Sequence, residues 1–375
     1  MSLRFVIDAR HLRDFGIGTY IRNLLTALAG IDTANRYVIV CQSADQNEFQ
    51  HLPPNFQSTV YWHTDSETID HFAFPAYLRQ FSADLIHIPL NRVPILMVRP
   101  YIVTIHDMSR QLFGAGMRNN FSLYRSRRSL MRASRVIAVS DATRLAAESI
   151  LGIPPGHIRK IHNAPDPRFS SPSGDLERKN VLDRYQISYP YILYTGSIRP
   201  QKNIPRLIEA FAVLRGKLAS HPVFSQLRLI IVGDEISQFP EVRLTAQKTR
   251  LGQAIRFLGH VPFDTLRAFY TSAALFAFPS LYEGFGLPPL EAMSCGTPVV
   301  ASNISSLPEV VGDAAMLVNP ENVFEIERGI RDVLLNENLR AQLIAKGYQQ
   351  VAKFSWDRTA RQVLDTYLEA VRGSA

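Results

Sequence analysis

An α/β protein made of two doubly wound sheets is the fold class this sequence predicts, and three observations predict it. The chain has 375 residues, enough for two or three domains at roughly 150 residues each. Short apolar runs rich in Val, Ile and aromatics alternate with longer, more polar stretches of helical period, the pattern of strand and helix in turn. The alternation breaks once, from Pro165 to Pro190, where Pro, Ser, Gly and charged residues replace any sustained apolar run.

Taken in order, the first half predicts strands at 5–7, 37–41, 60–62, 85–88, 101–104, 136–139 and 158–161. The second half predicts them at 191–194, 229–232, 255–258, 275–278, 298–301 and 315–318. Each half is therefore expected to be a complete Rossmann-like sheet, a first domain over 1–178 and a second over 179–357. The last segment carries apolar residues at helical spacing (Ala360, Val363, Leu364, Tyr367, Val371), which predicts a closing helix over 358–375.

Composition narrows the function. With 46% hydrophobic and 20% charged residues the chain has ample material for cores, which excludes global disorder. Cys41 and Cys295 are too few for a disulfide framework or a zinc cluster, so a reducing compartment is expected. No apolar run reaches the roughly 18 residues of a spanning helix, and the first residues do not read as a signal peptide. A cytoplasmic protein is expected, meeting any membrane from one side. The net charge of +8 points to anionic partners.

The segment from Phe278 to Met293 is the most informative. A strand ends at Pro279, a loop holding Glu283, Gly284, Phe285 and Gly286 follows, and Leu287, Pro288 and Pro289 open a helix carrying Glu291. Such a corner directs backbone N–H groups and the positive end of a helix dipole at a ligand, which suits a pyrophosphate. Taken with Gly16-Ile17-Gly18-Thr19-Tyr20, Thr104-Ile105-His106-Asp107, Val139-Ser140, Gly196 to Asn203, Val232-Gly233-Asp234, Cys295 to Val300 and Leu307-Pro308-Glu309-Val310, it resembles the signature of the retaining glycosyltransferases of family 4. These segments occur in the family's order and cover essentially the whole chain.

The resemblance implies the GT-B fold, two Rossmann-like domains facing a cleft, with the acceptor on the first and a nucleotide-sugar on the second. It makes Glu291 a partner of the ribose hydroxyls and places Glu283 near the transferred sugar. Electrostatic capping of the helix by Glu283 and a solvated Glu291 are the bland alternatives. Arg199 and Lys202, in a loop between strand and helix, are cations at a phosphate-sized site, where fixed positive charge stabilises a departing diphosphate. The family carries a basic pair in this loop, but Ser197 and Gln201 occupy two of the positions its members use, which leaves Arg199 as a candidate partner for Lys202. Gly196, Gly284, Phe285, Gly286 and Leu287 complete the expected donor site.

In the first domain, Gly16 and Gly18 lie between a strand and a helix expected to begin near Thr19. The third glycine of a dinucleotide fingerprint is replaced by Ile21, which disfavours a nicotinamide dehydrogenase. The resemblance puts both glycines near the donor phosphates and the acceptor; a tight structural turn is the other reading. His106, at a strand's carboxyl edge, becomes by resemblance a sugar contact or an electrostatic aid near the reacting carbon. His87 stays open between structure and site, and Ser140 between lining the site and capping a helix.

Retention at the anomeric carbon is implied, with a leaving phosphate oxygen taking the acceptor proton. No metal is expected, and no cofactor besides the nucleotide-sugar donor. Between Met108 and Ser140 there are seven arginines, among them Arg118, Arg125, Arg127, Arg128 and Arg132, with no lysine or acidic residue. Phe121, Tyr124, Leu130 and Met131 are interleaved. This basic amphipathic segment suits an anionic membrane surface or the pyrophosphate of a lipid-linked acceptor, and equally an arginine-rich solvated face over a core stripe. A peripheral position on the inner face of the cell membrane follows from the first reading.

The expected activity is transfer of a hexose, with mannose from GDP-mannose the first choice, to a glycan or lipid-linked acceptor in polysaccharide or lipopolysaccharide assembly. UDP-glucose and UDP-N-acetylglucosamine are alternative donors. A nucleotide-sugar epimerase or a non-catalytic sugar-binding protein is a more distant reading. Nucleic acid is not expected as a partner, because the basic run carries no recognisable nucleic-acid motif.

Overall fold

The computed structural model describes residues 2–63, 67–113, 120–170 and 172–373. The chain forms two compact units, one of residues 1–164 and 355–375, the other of 165–354. The first holds β1 (Arg4–Asp8), β2 (Arg36–Cys41), β3 (Phe56–Val60), β4 (Leu85–Ile88), β5 (Tyr101–Ile105), β6 (Arg135–Ala138) and β7 (Ile158–Lys160) in the order β3-β2-β1-β4-β5-β6-β7. The second holds β8 (Tyr191–Gly196), β9 (Arg228–Gly233), β10 (Ile255–Gly259), β11 (Leu275–Phe278), β12 (Val299–Ser302) and β13 (Ala315–Val318) in the order β10-β9-β8-β11-β12-β13.

Every pairing is parallel, from Phe5 opposite Tyr37 and Leu85 in the first sheet to Leu275 opposite Ile192 in the second. Helices connect the strands and cover both faces, so the central strands are buried on both sides. All residues of β4, β5, β11 and β12 are buried, which explains why they read as continuous apolar runs. The winding changes direction once in each sheet, between β1 and β4 and between β8 and β11. Open α/β sheets bind ligands outside the carboxyl ends of strands at such points.

Each expected strand has a counterpart, but β3 is displaced from 60–62 to Phe56–Val60. It is an edge strand whose Gln57, Ser58 and Thr59 pair with Val38, Ile39 and Val40, so no apolar run marks it. Trp62, which suggested a strand, is 79% exposed just beyond its end.

The first unit ends at Ala164, not at 178. Residues after it are fastened to the second unit: the Phe169 ring packs against Phe263 and Tyr270 at 4.3 and 5.4 Å, Ser173 N donates to Thr271 Oγ1 at 3.1 Å, and Arg267 donates to Glu177 at 2.9 Å. The chain returns to the first unit at Ser355, whose hydroxyl caps the closing helix Trp356–Arg372 by accepting from Arg358 N. Trp356, Thr359, Ala360, Val363, Thr366, Tyr367 and Ala370 form its buried stripe. That stripe packs on the helix Phe15–Ile31 and on β4 and β5.

Cys41 and Cys295 are both buried and free. Among the described residues no helix is long and apolar enough to cross a membrane.

Candidate functional site

In the second unit the loops that leave β8 and β11 flank the switch point and are laced together. Asn203, at a left-handed φ of 60°, donates through Nδ2 to the carbonyls of Pro279 and Pro320 at 2.9 and 2.7 Å. Leu281 N donates to Gln201 O at 2.7 Å. This brings Lys202 from one loop and Glu283 from the other into a salt bridge, with Nζ 2.7 Å from each carboxylate oxygen. Both side chains are largely buried, at 16% and 9% exposure. An ammonium has three N–H donors; two meet Glu283, which leaves one for an anionic oxygen.

The Glu283 backbone is itself held. Its N–H donates to Ser305 Oγ at 3.1 Å, and its carbonyl accepts from the hydroxyls of Ser305 and Ser306 at 2.7 and 3.0 Å. Arg199 is exposed one turn before Lys202, and Gly196 ends β8 beside them.

The corner after β11 is built as a tight entry into the helix Leu287–Ser294. Gly286 sits at a φ of 111°, and a Cβ there would lie 2.8 Å from Leu307 Cδ2, so a larger residue would be strained on two counts. Phe285 and Leu287 are buried, Phe285 edge-on to Phe354 at 5.7 Å. Their side chains are core, so the loop of Gly284, Phe285, Gly286 and Leu287 has only backbone groups to offer a ligand.

Glu291 lies in that helix and is partly buried. Its Oε2 accepts from Tyr270 Oη at 3.0 Å, and Tyr270 Oη lies 2.6 Å from Thr195 Oγ1. Burial pushes the Glu291 carboxyl up to about 7; the Tyr270 hydrogen bond opposes this, Asp166 adds to it and Arg168 works against it. Sequence reasoning missed Tyr270, which nothing in its local pattern distinguishes. It also passed over Asn203, although a left-handed Asn between a strand and a helix is a readable signal.

In the first unit, Gly16 and Gly18 are inside the first turn of the helix Phe15–Ile31, which starts four residues earlier than expected. A Cβ at Gly18 would fall 1.9 Å from the Leu12 carbonyl oxygen, and Gly18 N donates to Asp14 O. Close backbone approach, rather than an open loop, explains this glycine. His106 follows β5, its ring edge-on to Tyr20 with centroids 4.7 Å apart and bonded to the backbone of Pro89. Among the described residues its buried Nε2 has no partner. Burial brings the His106 pKa down to about 4, against the upward pull of Asp107, so the ring is neutral at pH 7.

His87 is buried, with Nδ1 2.7 Å from Tyr367 Oη and Nε2 2.8 Å from Thr104 Oγ1. Both nitrogens are engaged by protein. Ser140 is fully buried and caps the helix Asp141–Leu151, accepting from Thr143 N at 3.0 Å; its hydroxyl serves the cap and does not line an open surface.

Arg10 is buried between two carboxylates, 2.9 Å from Asp8 and 2.7 Å from Asp70, with its guanidinium 3.5 Å from the Phe74 ring centroid. Asp8 is held below the usual carboxylate range: burial acts to raise it, and Arg10 outweighs that by charge and hydrogen bonding. No local pattern announces this triad, because Asp70 lies 60 residues from Arg10.

The arginine-rich segment forms the helix Asn120–Arg132. Leu130 is core, Tyr101 Oη donates to Ser129 O, and Arg125 contacts His71. Tyr124 and Met131 are exposed, as are Arg127 and Arg128. No carboxylate pairs with Arg127, Arg128 or Arg132 among the described residues. Arg118 lies outside the described residues, as does the Phe121 side chain.

Residues 16–169 match the model of Glycosyltransferase Family 4, and residues 183–350 that of Glycosyl transferases group 1. The chain is 37% identical over 247 residues to O-antigen chain mannosyltransferase B of Escherichia coli, covering 64% of this chain and 61% of that one. It is 32% identical over 246 residues to the serotype-specific mannosyltransferase WbdA of Escherichia coli, covering 65% and 30%. The aligned part thus spans less than two thirds of the length of either relative.

Among solved structures, a sucrose-phosphate synthase from Thermosynechococcus elongatus superposes with a TM-score of 0.79 at 20% identity, covering 99% of this chain and all of that one. Anabaena HepE in complex with UDP-glucose does so with a TM-score of 0.79 at 19% identity, covering 98% of this chain and all of that one. These likenesses establish the fold. With two parallel sheets of GT-B type and two family models that between them match most of its length, the chain belongs to the group 1, family 4 glycosyltransferases.

Proposed function

We propose that this protein is a retaining mannosyltransferase that takes GDP-mannose as donor and a glycan or lipid-linked glycan as acceptor, in the assembly of an O-antigen-type polysaccharide. The observation that carries the reading is the Lys202–Glu283 pair at the switch point of the second sheet. Glu283 orients the ammonium and leaves it a donor for the diphosphate, and the exposed Arg199 supplies a second cation. The N-terminus of the helix Leu287–Ser294 adds backbone N–H groups and a positive dipole end. Glu291, poised by Tyr270, is the acceptor for ribose hydroxyls. In the first unit, neutral His106 offers Nε2 to a sugar hydroxyl.

No metal enters this scheme, because side-chain cations and backbone dipoles stabilise the leaving diphosphate. The choice of mannose is supported by the sugar in the names of the Escherichia coli relatives.

A panel of GDP-mannose, UDP-glucose and UDP-N-acetylglucosamine in thermal unfolding tests the donor. At a hundredfold excess over Kd the true donor stabilises the fold by about 2.7 kcal/mol. GDP-mannose is expected to give that shift, and GDP is expected to be released only with acceptor present; a shift from a UDP-sugar alone overturns the choice of donor.

The helix Asn120–Arg132 extends the proposal to a peripheral site on the inner face of the membrane, where exposed Arg127 and Arg128 meet anionic headgroups and Tyr124 and Met131 enter the interface. Salt-sensitive co-sedimentation with anionic vesicles, lost in R127S/R128S/R132S, is the expected result. Equal recovery with neutral vesicles removes this part of the proposal.

A further inference from the structure

We infer that Tyr367 and His87 are positioning residues for His106: a buried hydrogen-bonded chain from the closing helix, Tyr367–His87–Thr104–Tyr20, fixes the ring against which the His106 imidazole rests. This builds on the reading of His106 as a sugar contact.

The links are 2.7 Å from Tyr367 Oη to His87 Nδ1, 2.8 Å from His87 Nε2 to Thr104 Oγ1 and 3.2 Å from Thr104 Oγ1 to Tyr20 Oη. All four residues are at most 1% exposed, so water cannot replace a lost partner. Burial brings the His87 pKa down to about 3; the ring is neutral and has one donor and one acceptor. Each of its nitrogens meets one hydroxyl, so the ring is held in one orientation, with no bonding capacity left for a ligand.

Apolar side chains at these four positions would fill the same volume without the penalty of burying polar groups. What the polar chain adds is direction. It pins the Tyr20 hydroxyl, and the Tyr20 and His106 rings in turn meet in a T-shaped contact at 76°. The closing helix holds Tyr20 from its other end too, through Trp356, whose ring lies 6.0 Å away at 64°. The segment that returns from the second unit therefore bears on the placement of His106 through Tyr20.

Tyr367→Phe removes a single hydroxyl and is the first test; Thr104→Val, which severs the chain at two links, is the second. Two readouts are used: steady-state kinetics with GDP-mannose and the imidazole 15N resonances of His106. We expect kcat to fall roughly tenfold, as small misplacements do, with the donor KM within twofold and the His106 resonances displaced. In a His106→Gln background Tyr367→Phe should cost no further kcat, the signature of coupled residues. A lowered melting temperature with unchanged kcat and unmoved His106 resonances overturns the inference and leaves the chain as core packing. If His106→Gln alone retains full activity, the reading of His106 as a sugar contact fails, and the resonances still decide whether the chain positions the ring.

Discussion

Beside β8 and β11 the second sheet carries ionised groups in contact, Lys202 and Glu283, with Glu291 nearby on the helix. Beside β1, β4 and β5 the first sheet carries neutral rings, His87, His106 and Tyr20, and the buried guanidinium of Arg10 is already matched by Asp8 and Asp70. The same parallel topology thus supports two electrical environments. On the proposed function, the fixed positive charge beside the second sheet suits a diphosphate leaving group, and the neutral rings of the first suit a sugar hydroxyl. Arg125, Arg127, Arg128 and Arg132 of the first unit lie together on the helix Asn120–Arg132, which holds no acidic residue.

The largest expected effect comes from breaking the charged side of this contrast. Lys202→Ala removes the cation at the leaving group and should lower kcat roughly 10²–10³-fold, the usual loss when one fixed electrostatic donor is deleted. It also leaves Glu283 buried beside no counter-charge, so a lower melting temperature should accompany the loss. Steady-state kinetics on folded protein separates the two. A Lys202→Ala enzyme within threefold of the parent kcat would show that the second sheet's charge is structural, and the contrast between the sheets would collapse.

A smaller effect sharpens the contrast through pH. The Glu291 carboxyl, pushed up to about 7 by burial, takes up a proton in the folded state at pH values where the unfolded chain has already lost it. Its contribution therefore favours folding at low pH and is lost as pH rises toward 7. Donor binding should run the other way. Ribose hydroxyls donate to the carboxylate, so GDP-mannose affinity should strengthen as pH rises through about 7. Titration calorimetry between pH 5.5 and 8.5 should show this slope in the parent and a flat profile in Glu291→Gln. His106 and His87, with pKa values brought down to about 4 and about 3, stay neutral over that range and do not contribute to the slope.

How much of this was legible beforehand follows a physical line. Strands covered on both faces show themselves as apolar runs, so β4, β5, β11 and β12 stood out, while the edge strand β3 hid behind Gln57, Ser58 and Thr59. Lys202, Glu283 and Glu291 were legible because each sits in a loop–helix corner with its own local grammar. Their partners were not. Tyr270 meets Glu291 from a neighbouring helix, Asp70 meets Arg10 across 60 residues, and Tyr367 meets His87 across 280. Such pairs depend on the crossover order of the sheet and the return of the closing helix, which no window of sequence contains. The first turn at Gly16 and Gly18 was misplaced for a related reason: the demand for glycine comes from the Leu12 carbonyl lying against it, not from a loop.

The smallest expected effect concerns Ser140, whose residue type suits two roles equally well. Its hydroxyl accepts from Thr143 N at 3.0 Å and is wholly buried at the start of the helix Asp141–Leu151. Ser140→Ala should therefore cost about 1 kcal/mol, the typical value of a lost N-cap, and leave the GDP-mannose KM unchanged. Ser140→Thr, which keeps a capping hydroxyl, should recover part of that stability. Chemical denaturation of both variants beside their donor KM values distinguishes cap from ligand contact. A raised KM with unchanged stability would return Ser140 to the donor site and show that the first sheet, too, handles the donor through a hydroxyl at its carboxyl edge.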